Sequence, residues 1–490
     1  YLALSAETLG DRNVAIGNSA LGVQNNTSDV DSYNVAVGHT AGAAVTTGIR
    51  NVLVGSLAGK ALQTANYNVA IGYQTLSTDD GGNYNTAIGY KALEDYEADA
   101  DGDGHNTAIG SSSQLNATTG EFNTSLGSLS MGSGVTIGDY NTALGAEAGK
   151  ALTSGASNVF VGGHAGDAIT SGGRNIAMGY AALSTEDAHG RNTAIGHQAL
   201  TTQNAGADAY NVAVGYDAGR NVTTGINNTI VGGLAGDSIT TGGDNVSLGY
   251  NSLGSNTIGN ENVAIGKDSM GVNVAADRNV AVGAFALQNM TSATTVDTYN
   301  TAVGYSAGNA MTSGVNNTIV GGLAGVAMTT AIQNTALGYF ALSTNIDGDN
   351  NTAVGFKALQ DFEADTDGHG NNTAIGASAM LNASTGTENT ALGTLAMGTG
   401  VTTGNSNVAI GYQSGHALTS GSENITIGQG AGDALTTGNR NVAVGHAALS
   451  TEDAHGKNVA IGYLSLLNLD AGADGFNTAV GCESGKTMTT

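Results

Sequence analysis

The chain contains no proline and no tryptophan, and it has one cysteine, Cys482. A single thiol excludes disulfide bonds within the chain, so cysteine usage does not indicate a redox compartment. Lysine and arginine number 14 against 40 aspartates and glutamates, which gives a net charge of −26. This balance argues against nucleic acid as a partner, because phosphates need cationic side chains. No apolar run reaches the ~18 residues of a spanning helix, so we expect no membrane insertion.

The most regular feature is a five-residue phrase, written NTAIG at 85–89, which occurs 27 times between Asn13 and Asn477. Position 1 is always Asn and position 5 is always Gly. Position 2 is Val, Thr or Ile, and position 4 is Ile, Val, Leu or Met. A phrase repeated at a short period indicates an array of stacked units rather than several globular domains.

Successive phrases are mostly 17 residues apart, and some units carry one, two or four extra residues. The series of spacings starts again at Asn279, so 13–278 is one copy of a long block and 279–490 is an incomplete second copy. The residues agree, since 93–110 closely matches 359–376. We therefore interpret 1–490 as one continuous array with an internal duplication. Both ends fall inside a unit that does not look like a cap, so we expect a segment of a longer fibre.

The alternation of polar, β-branched, small and aliphatic residues predicts a short β-strand in each unit. Each unit then forms one coil of a parallel β-solenoid, with about 27 coils stacked ~4.8 Å apart. We expect positions 2 and 4 to point into the coil and the position 5 glycine to allow a turn with positive φ. The position 1 asparagines should form a ladder of side-chain amides. The small residue at position 3 should face outward and let chains pack closely, which predicts a homotrimer.

The other twelve residues of the unit follow two patterns. Glycine-type units, such as 39–50, have Gly at position 9 and an aliphatic residue at position 12. Leucine-type units, such as 180–191, have Leu at position 9 and a polar residue at position 12. This exchange predicts that positions 9 and 12 reach the same interior space. Position 3 is large in Leu53, Phe160, Ile230 and Ile319, where position 6 is small, so we expect positions 3 and 6 to be neighbours.

These phrases resemble the head repeats of trimeric autotransporter adhesins, which carry an SVAIG-like strand. They are also similar to the NTAIGYxAL and NTAVGxxAG arrays of tail-fibre-like bacteriophage proteins and large bacterial surface proteins. The resemblance covers all 27 units. It implies a left-handed parallel β-roll, assembly into a trimer and an extracellular place on a cell or virion surface.

One acidic loop is a candidate calcium site. Asp99, Asp101 and Asp103 precede Gly104 and spell DxDxDG, the opening of a loop in which alternate carboxylates converge on one hard cation. The glutamate that would complete an EF-hand loop is absent, and a solvated acidic loop is the alternative. No other cofactor is predicted.

Three further groups of residues are candidates for a structural or functional role. His189 and His455 lie in equivalent STEDAHG segments beside acidic residues, which we interpret as polar turns rather than metal sites. Six of the seven arginines stand at position 17, just before the Asn, where we expect them to offset acidic stacking and to protect an exposed edge. Tyrosines at position 6 are candidates for packing or for a glycan-binding stripe.

The pattern favours a non-enzymatic fibre: the shaft of a phage tail fibre or of a surface adhesin, holding a receptor-binding tip away from its base. The alternative is a binding module whose coil faces recognise glycans or calcium, with an ice-binding threonine surface as a variant. Partners would be copies of the chain itself and a cell-surface glycan or protein receptor. No HExxH motif is present, and the GxSxG match at 304–308 occupies positions 5 to 9 of a repeat unit rather than a strand-to-helix elbow, so an enzyme is disfavoured.

Overall fold

The computed structural model describes residues 1–98, 102, 104–292, 294–363 and 370–490. The chain is all-β and forms a parallel β-solenoid of about 27 turns, and the described residues contain no helix. It divides into two compact units, Tyr1–Asp244 and Asn245–Thr490.

In both units, positions 2 to 4 of each repeat form a three-residue strand. The strands of the first unit are Val14–Ile16, Val35–Val37, Val52–Val54, Val69–Ile71, Thr86–Ile88, Thr107–Ile109, Thr124–Leu126, Thr142–Leu144, Val159–Val161, Ile176–Met178, Thr193–Ile195, Val212–Val214 and Thr229–Val231. The strands of the second unit are Val246–Leu248, Val263–Ile265, Val280–Val282, Thr301–Val303, Thr318–Val320, Thr335–Leu337, Thr352–Val354, Thr373–Ile375, Thr390–Leu392, Val408–Ile410, Ile425–Ile427, Val442–Val444, Val459–Ile461 and Thr478–Val480.

Within each unit, neighbouring strands pair in parallel and identical positions face each other. Thr86–Ile88 pairs with Thr107–Ile109 in this way, although the two phrases are 21 residues apart. Extra residues therefore leave the coil as loops and do not change the register. Two short strand pairs accompany such insertions, Gly10–Asp11 with Val30–Asp31 and Ala276–Asp277 with Val296–Asp297.

The interior of the coil is filled by position 3. Ala87 is fully buried, whereas Thr86 and Ile88 on either side of it are only partly buried. The prediction that positions 2 and 4 point inward was wrong, and so was the outward-facing alanine surface. The interior already holds the large side chain of position 9 or position 12, so it accepts a methyl group from the strand and little more.

Positions 9 and 12 do fill the same interior space, which confirms that prediction. Leu183, at position 9 of a leucine-type unit, and Ile169, at position 12 of a glycine-type unit, are both fully buried. A Cβ atom added to the position 9 glycine Gly42 would come within 3.3 Å of Val45, the position 12 residue of the same coil. Most coils therefore carry one large apolar side chain at these two positions, although Leu466 and Leu469 are both fully buried in a single coil.

A large residue at position 3 is compensated by glycine at position 9, not by a small residue at position 6. Cβ atoms added to Gly149 and Gly166 would lie 2.6 Å and 2.5 Å from the Phe160 ring, one from the preceding coil and one from the same coil. A Cβ atom on Gly163, at position 6, would instead approach Tyr180 of the next coil. The predicted contact between positions 3 and 6 was therefore wrong.

The position 1 asparagines form the predicted ladder inside the coil. The Asn158 backbone N–H donates to Asn141 Oδ1 at 3.0 Å, and Asn158 Nδ2 donates to the Gly172 carbonyl at 2.9 Å. Asn158 thus joins its own coil to the preceding one and also closes the corner of its own coil. Both asparagines are fully buried, so each bond replaces a lost contact with water.

The position 5 glycines allow the backbones of successive coils to approach closely. Gly89 has φ of 137°, and a Cβ atom there would lie within 3 Å of the Gly110 carbonyl oxygen in the next coil. At the threonine corner, Thr153 Oγ1 donates to the Thr170 carbonyl at 3.0 Å. The hydroxyls therefore bridge coils by bonding to backbone oxygen rather than to one another.

We expect replacement of Asn141 by alanine to loosen the coils around it. The change leaves the Asn158 N–H and the Gly155 carbonyl buried and without their partners. Each orphaned group costs about 1–3 kcal/mol, so local opening should become about 2–6 kcal/mol easier. Amide hydrogen exchange of peptides covering 124–175 would measure this loss of protection. Asn204→Ala, which alters an exposed asparagine, is the control; equal protection in both variants would contradict the role of the ladder.

Candidate functional site

The outer face of the strands carries a stripe of aliphatic and threonine side chains, which we call the outer stripe. It consists of positions 2 and 4 of successive coils. Leu126 and Met178 in this stripe are 49% and 39% exposed. Because the strands pair in register, the stripe repeats at every coil of a unit. It is an extended, partly apolar surface.

A second surface is a column of flat side chains at position 17, the residue just before each asparagine. In the first unit the rings of Tyr67, Tyr84, His105, Phe122 and Tyr140 stack on one another. Their centroids are 4.8–5.0 Å apart and neighbouring planes differ by 8° or less. The coil spacing alone places the rings at stacking distance.

The arginines at position 17 belong to the same column. Arg50 lies over the ring of Tyr67 in the next coil, with its Cζ 5.2 Å from the ring centroid, and also contacts the Tyr67 hydroxyl. Arg191 lies over Tyr210 in the same way and pairs with Asp208 at 2.7 Å. Position 17 has positive φ in both coils, about 60° at Arg50 and 65° at Arg191. The column was not predicted, because the arginines at position 17 were considered but not the rings at the same position, although both are visible in the sequence.

The position 6 tyrosines lie on the surface in shorter stacks. Tyr73 and Tyr90 stack with centroids 5.8 Å apart, and His197 lies between Tyr180 and Tyr216. This arrangement is an exposed aromatic stripe, interrupted wherever position 6 is small.

Polar residues at position 12 turn inward and cap the next turn of the coil. Gly82 N–H donates to Asp79 Oδ1 at 2.9 Å, and His189 N–H donates to Glu186 Oε1 at 3.1 Å. Both carboxylates are fully buried. Burial raises the pKa of Asp79 to about 6 and raises the pKa of Glu186 as well. Position 12 was predicted to reach the interior, but it was not predicted that a polar residue there would cap a turn.

These caps produce two clusters that could hold a metal ion. Glu186, Asp187 and His189 bring one ligand atom each within 4.8 Å of one another. The second cluster meets the same criterion and consists of Glu452, Asp453, His455 and Asp470. The imidazole and carboxylates suit a divalent transition metal, but Glu452 already accepts N–H bonds from His455 and Ala471 at 2.8 Å and 3.0 Å. The turn-capping role thus accounts for Glu452 without a metal.

The candidate calcium ligands Asp99, Asp101 and Asp103 lie outside the described residues. The clusters above belong to other loops and do not include them.

No protein-family model matches this chain, and no curated protein matches it. Within the described ranges, no helix is long and apolar enough to cross a membrane.

We expect Asp79→Asn to stabilise the protein at pH 7. Burial raises the pKa of Asp79, so the folded state holds this proton more tightly than the unfolded chain. The folding free energy lost by ionising Asp79 is therefore zero below the unfolded pKa of 3.8, grows as the pH rises, and is complete above about pH 6. The amide removes the charge and keeps the acceptor. Urea unfolding should show a gain of about 2–3 kcal/mol at pH 7 that disappears near pH 3.5.

The second copy contains the same replacement, since Asn345 stands where the first has Asp79. Asn345 Oδ1 accepts the Gly348 N–H at 2.9 Å, and its Nδ2 donates to the Gly348 carbonyl at 2.9 Å. Asp80→Asn, at the exposed neighbouring residue, is the matched control and should have little effect. A gain for Asp79→Asn that is equal at both pH values would contradict the assignment to ionisation.

Proposed function

We propose that this chain is a non-enzymatic fibre shaft, part of a phage tail fibre or a bacterial surface adhesin on the outside of a virion or cell. Its coils add length without changing register, which suits a spacer that carries a receptor-binding tip. The repeated strand phrase is similar to that of trimeric adhesin heads, and this similarity supports a left-handed coil.

The observation that carries the proposal is the outer stripe. An apolar surface that repeats at every coil is best covered by a partner with the same repeat, and a further copy of this chain has it. We propose a homotrimer in which three outer stripes face a common axis. Because the alanines of position 3 lie inside the coil, we propose that positions 2 and 4, rather than position 3, form the contact between chains.

A second candidate function is favoured by the exposed flat side chains at positions 6 and 17. These columns could recognise glycans, and weak contacts repeated along a fibre would add up to firm attachment. Glycan-array binding by the chain, lost when Tyr84 and Tyr140 are replaced by serine, would support this function. Calcium remains a candidate ligand of the acidic loop.

We expect the chain to sediment as a species with three times the 48.3 kDa mass of one chain. The variant Leu126→Glu with Met178→Glu places carboxylates in the outer stripe, where association would bury them at high cost. It should dissociate to monomers and keep its β-rich circular dichroism, because neither side chain lies in the interior. Multi-angle light scattering and sedimentation would measure both masses.

The matched control is Ser154→Glu with Thr224→Glu, which adds the same charge at exposed corner positions of the same unit. This variant should stay trimeric. A monomeric wild-type chain at micromolar concentration would overturn the trimer, and dissociation of the control variant would show that charge alone, rather than the outer stripe, governs association.

A further inference from the structure

The position 17 column of the first unit is interrupted at one coil. Tyr140 ends the stack of five rings, Ser157 follows, and Arg174 and Arg191 come next. The Ser157 N–H donates to Asp139 and the Arg174 N–H donates to Ala156, the same coil-to-coil bond in both cases, so Ser157 lies between Tyr140 and Arg174. One face of the Tyr140 ring is stacked on Phe122, and the ring is still 61% exposed. Its other face is turned toward the small serine.

Arg174 differs from the other arginines of the column. Each of the others contacts a carboxylate or an aromatic ring in a neighbouring coil: Arg12, Arg50, Arg191, Arg278 and Arg440. Arg174 has no ion pair, side-chain hydrogen bond or ring contact in the described part of the chain. A guanidinium on a protein of net charge −26 is thus left without an acidic partner.

A cleft opens on the Arg174 side of Ser157, next to this gap, and Tyr140 does not line it. Its volume is about 230 Å³, and it is lined by Ala156, Ser157, Gly173, Arg174, Arg191 and Asp208. Asp208 is already paired with Arg191, so the cleft carries one unpaired positive charge.

The second copy supplies the comparison. An equivalent cleft of about 270 Å³ is lined by Ser422, Glu423, Asn439, Arg440, Lys457 and Asp474. Here the residue that corresponds to Ser157 is Glu423, and its carboxylate pairs with Arg440 at 2.7 Å. Lys457 pairs with Asp474 at 2.6 Å, so both cations are neutralised. Compared with the second cleft, the first cleft therefore lacks a carboxylate beside its arginine, Arg174.

We propose that the gap at Ser157 is a binding site for a ring that bears a carboxylate, with the ring against the free face of Tyr140 and the carboxylate on Arg174. Tyr140 and Arg174 are two coils apart, or about 10 Å. A ring stacked on Tyr140 would lie about 5 Å from it, the spacing already present in the column, and its carboxylate would extend toward the edge of the Arg174 guanidinium. The guanidinium offers two parallel N–H donors to the carboxylate. This site does not depend on the number of chains in the fibre.

Two ligand sources share this chemistry, an aromatic acid and an acidic sugar of a polysaccharide. Titration of the full-length chain with benzoate and with glucuronate, followed by ligand-detected NMR at low salt, would distinguish them. Acetate, which has no ring, and benzyl alcohol, which has no charge, are the matched probes. We expect benzoate, glucuronate or both to bind with one site per chain and to bind more tightly than either matched probe.

Two variants locate the site. Arg174→Gln removes the cation and should weaken binding about 10- to 100-fold, the value of a charge-assisted hydrogen-bonded pair. Ser157→Glu copies the second cleft, places a carboxylate where the ligand's would lie, and should abolish binding. Glu423 has φ of 60° and Ser157 has φ of 62°, so the backbone accepts glutamate there. Arg440→Gln, in the second cleft, should change nothing.

A gain of binding tests the assignment independently. The double variant Ser406→Tyr with Glu423→Ser builds the ring, the gap and the free arginine of the first cleft into the second, and should raise the stoichiometry from one to two sites per chain. The proposal is overturned if neither benzoate nor glucuronate binds, if acetate binds as tightly as both, if Arg174→Gln and Ser157→Glu leave binding unchanged, or if the double variant adds no site.

Discussion

The structure depends on the hydrogen bond from each position 1 asparagine to the next. A coil of 17 residues has almost no sheet of its own, with three strand residues per turn, and most of its backbone lies in corners. Asn141 and Asn158 show how the corners are satisfied: one amide side chain accepts from the following coil and donates to a carbonyl of its own coil. A substitution therefore affects two coils at once, which explains why the asparagine does not vary while its neighbours do.

The narrow interior then determines which residues lie inside and outside. Position 9 or position 12 fills the space, and the strand adds a methyl group from residues such as Ala87. Where the strand adds a ring, at Phe160, glycine stands at position 9 of the same coil and of the preceding one. In most coils the aliphatic side chains at positions 2 and 4 of the strand therefore lie in the outer stripe. A single chain thus leaves apolar surface in water, and we regard association as the means by which it is covered.

Because the block is duplicated, equivalent positions of the two copies can be compared within one chain. Asp79 and Asn345 occupy equivalent turns of the two copies, and only Asp79 carries an ionisable group. Ser157 and Glu423 occupy equivalent clefts, and only Glu423 supplies a carboxylate. Coils with the same backbone therefore differ in electrostatics, because side chains at positions 12 and 17 can change while the asparagine and glycine positions cannot. A solenoid built in this way can carry local sites without losing its stacking.

The sequence by itself determined the coil, its period, its parallel in-register stacking, the asparagine ladder and the equivalence of positions 9 and 12. These features follow from spacing and from residue types that repeat. Only the tertiary structure decided which face of the strand is inside. An alternating strand such as Thr86–Ile88 has two faces, and the usual preference for burying the larger residues pointed to the wrong one. The choice depends on how much space the rest of the coil leaves, and that quantity is set by Leu93 and its equivalents across the closed turn. The column at position 17 likewise became apparent only from the tertiary structure, because rings 17 or more residues apart in the sequence become neighbours only when the coils stack.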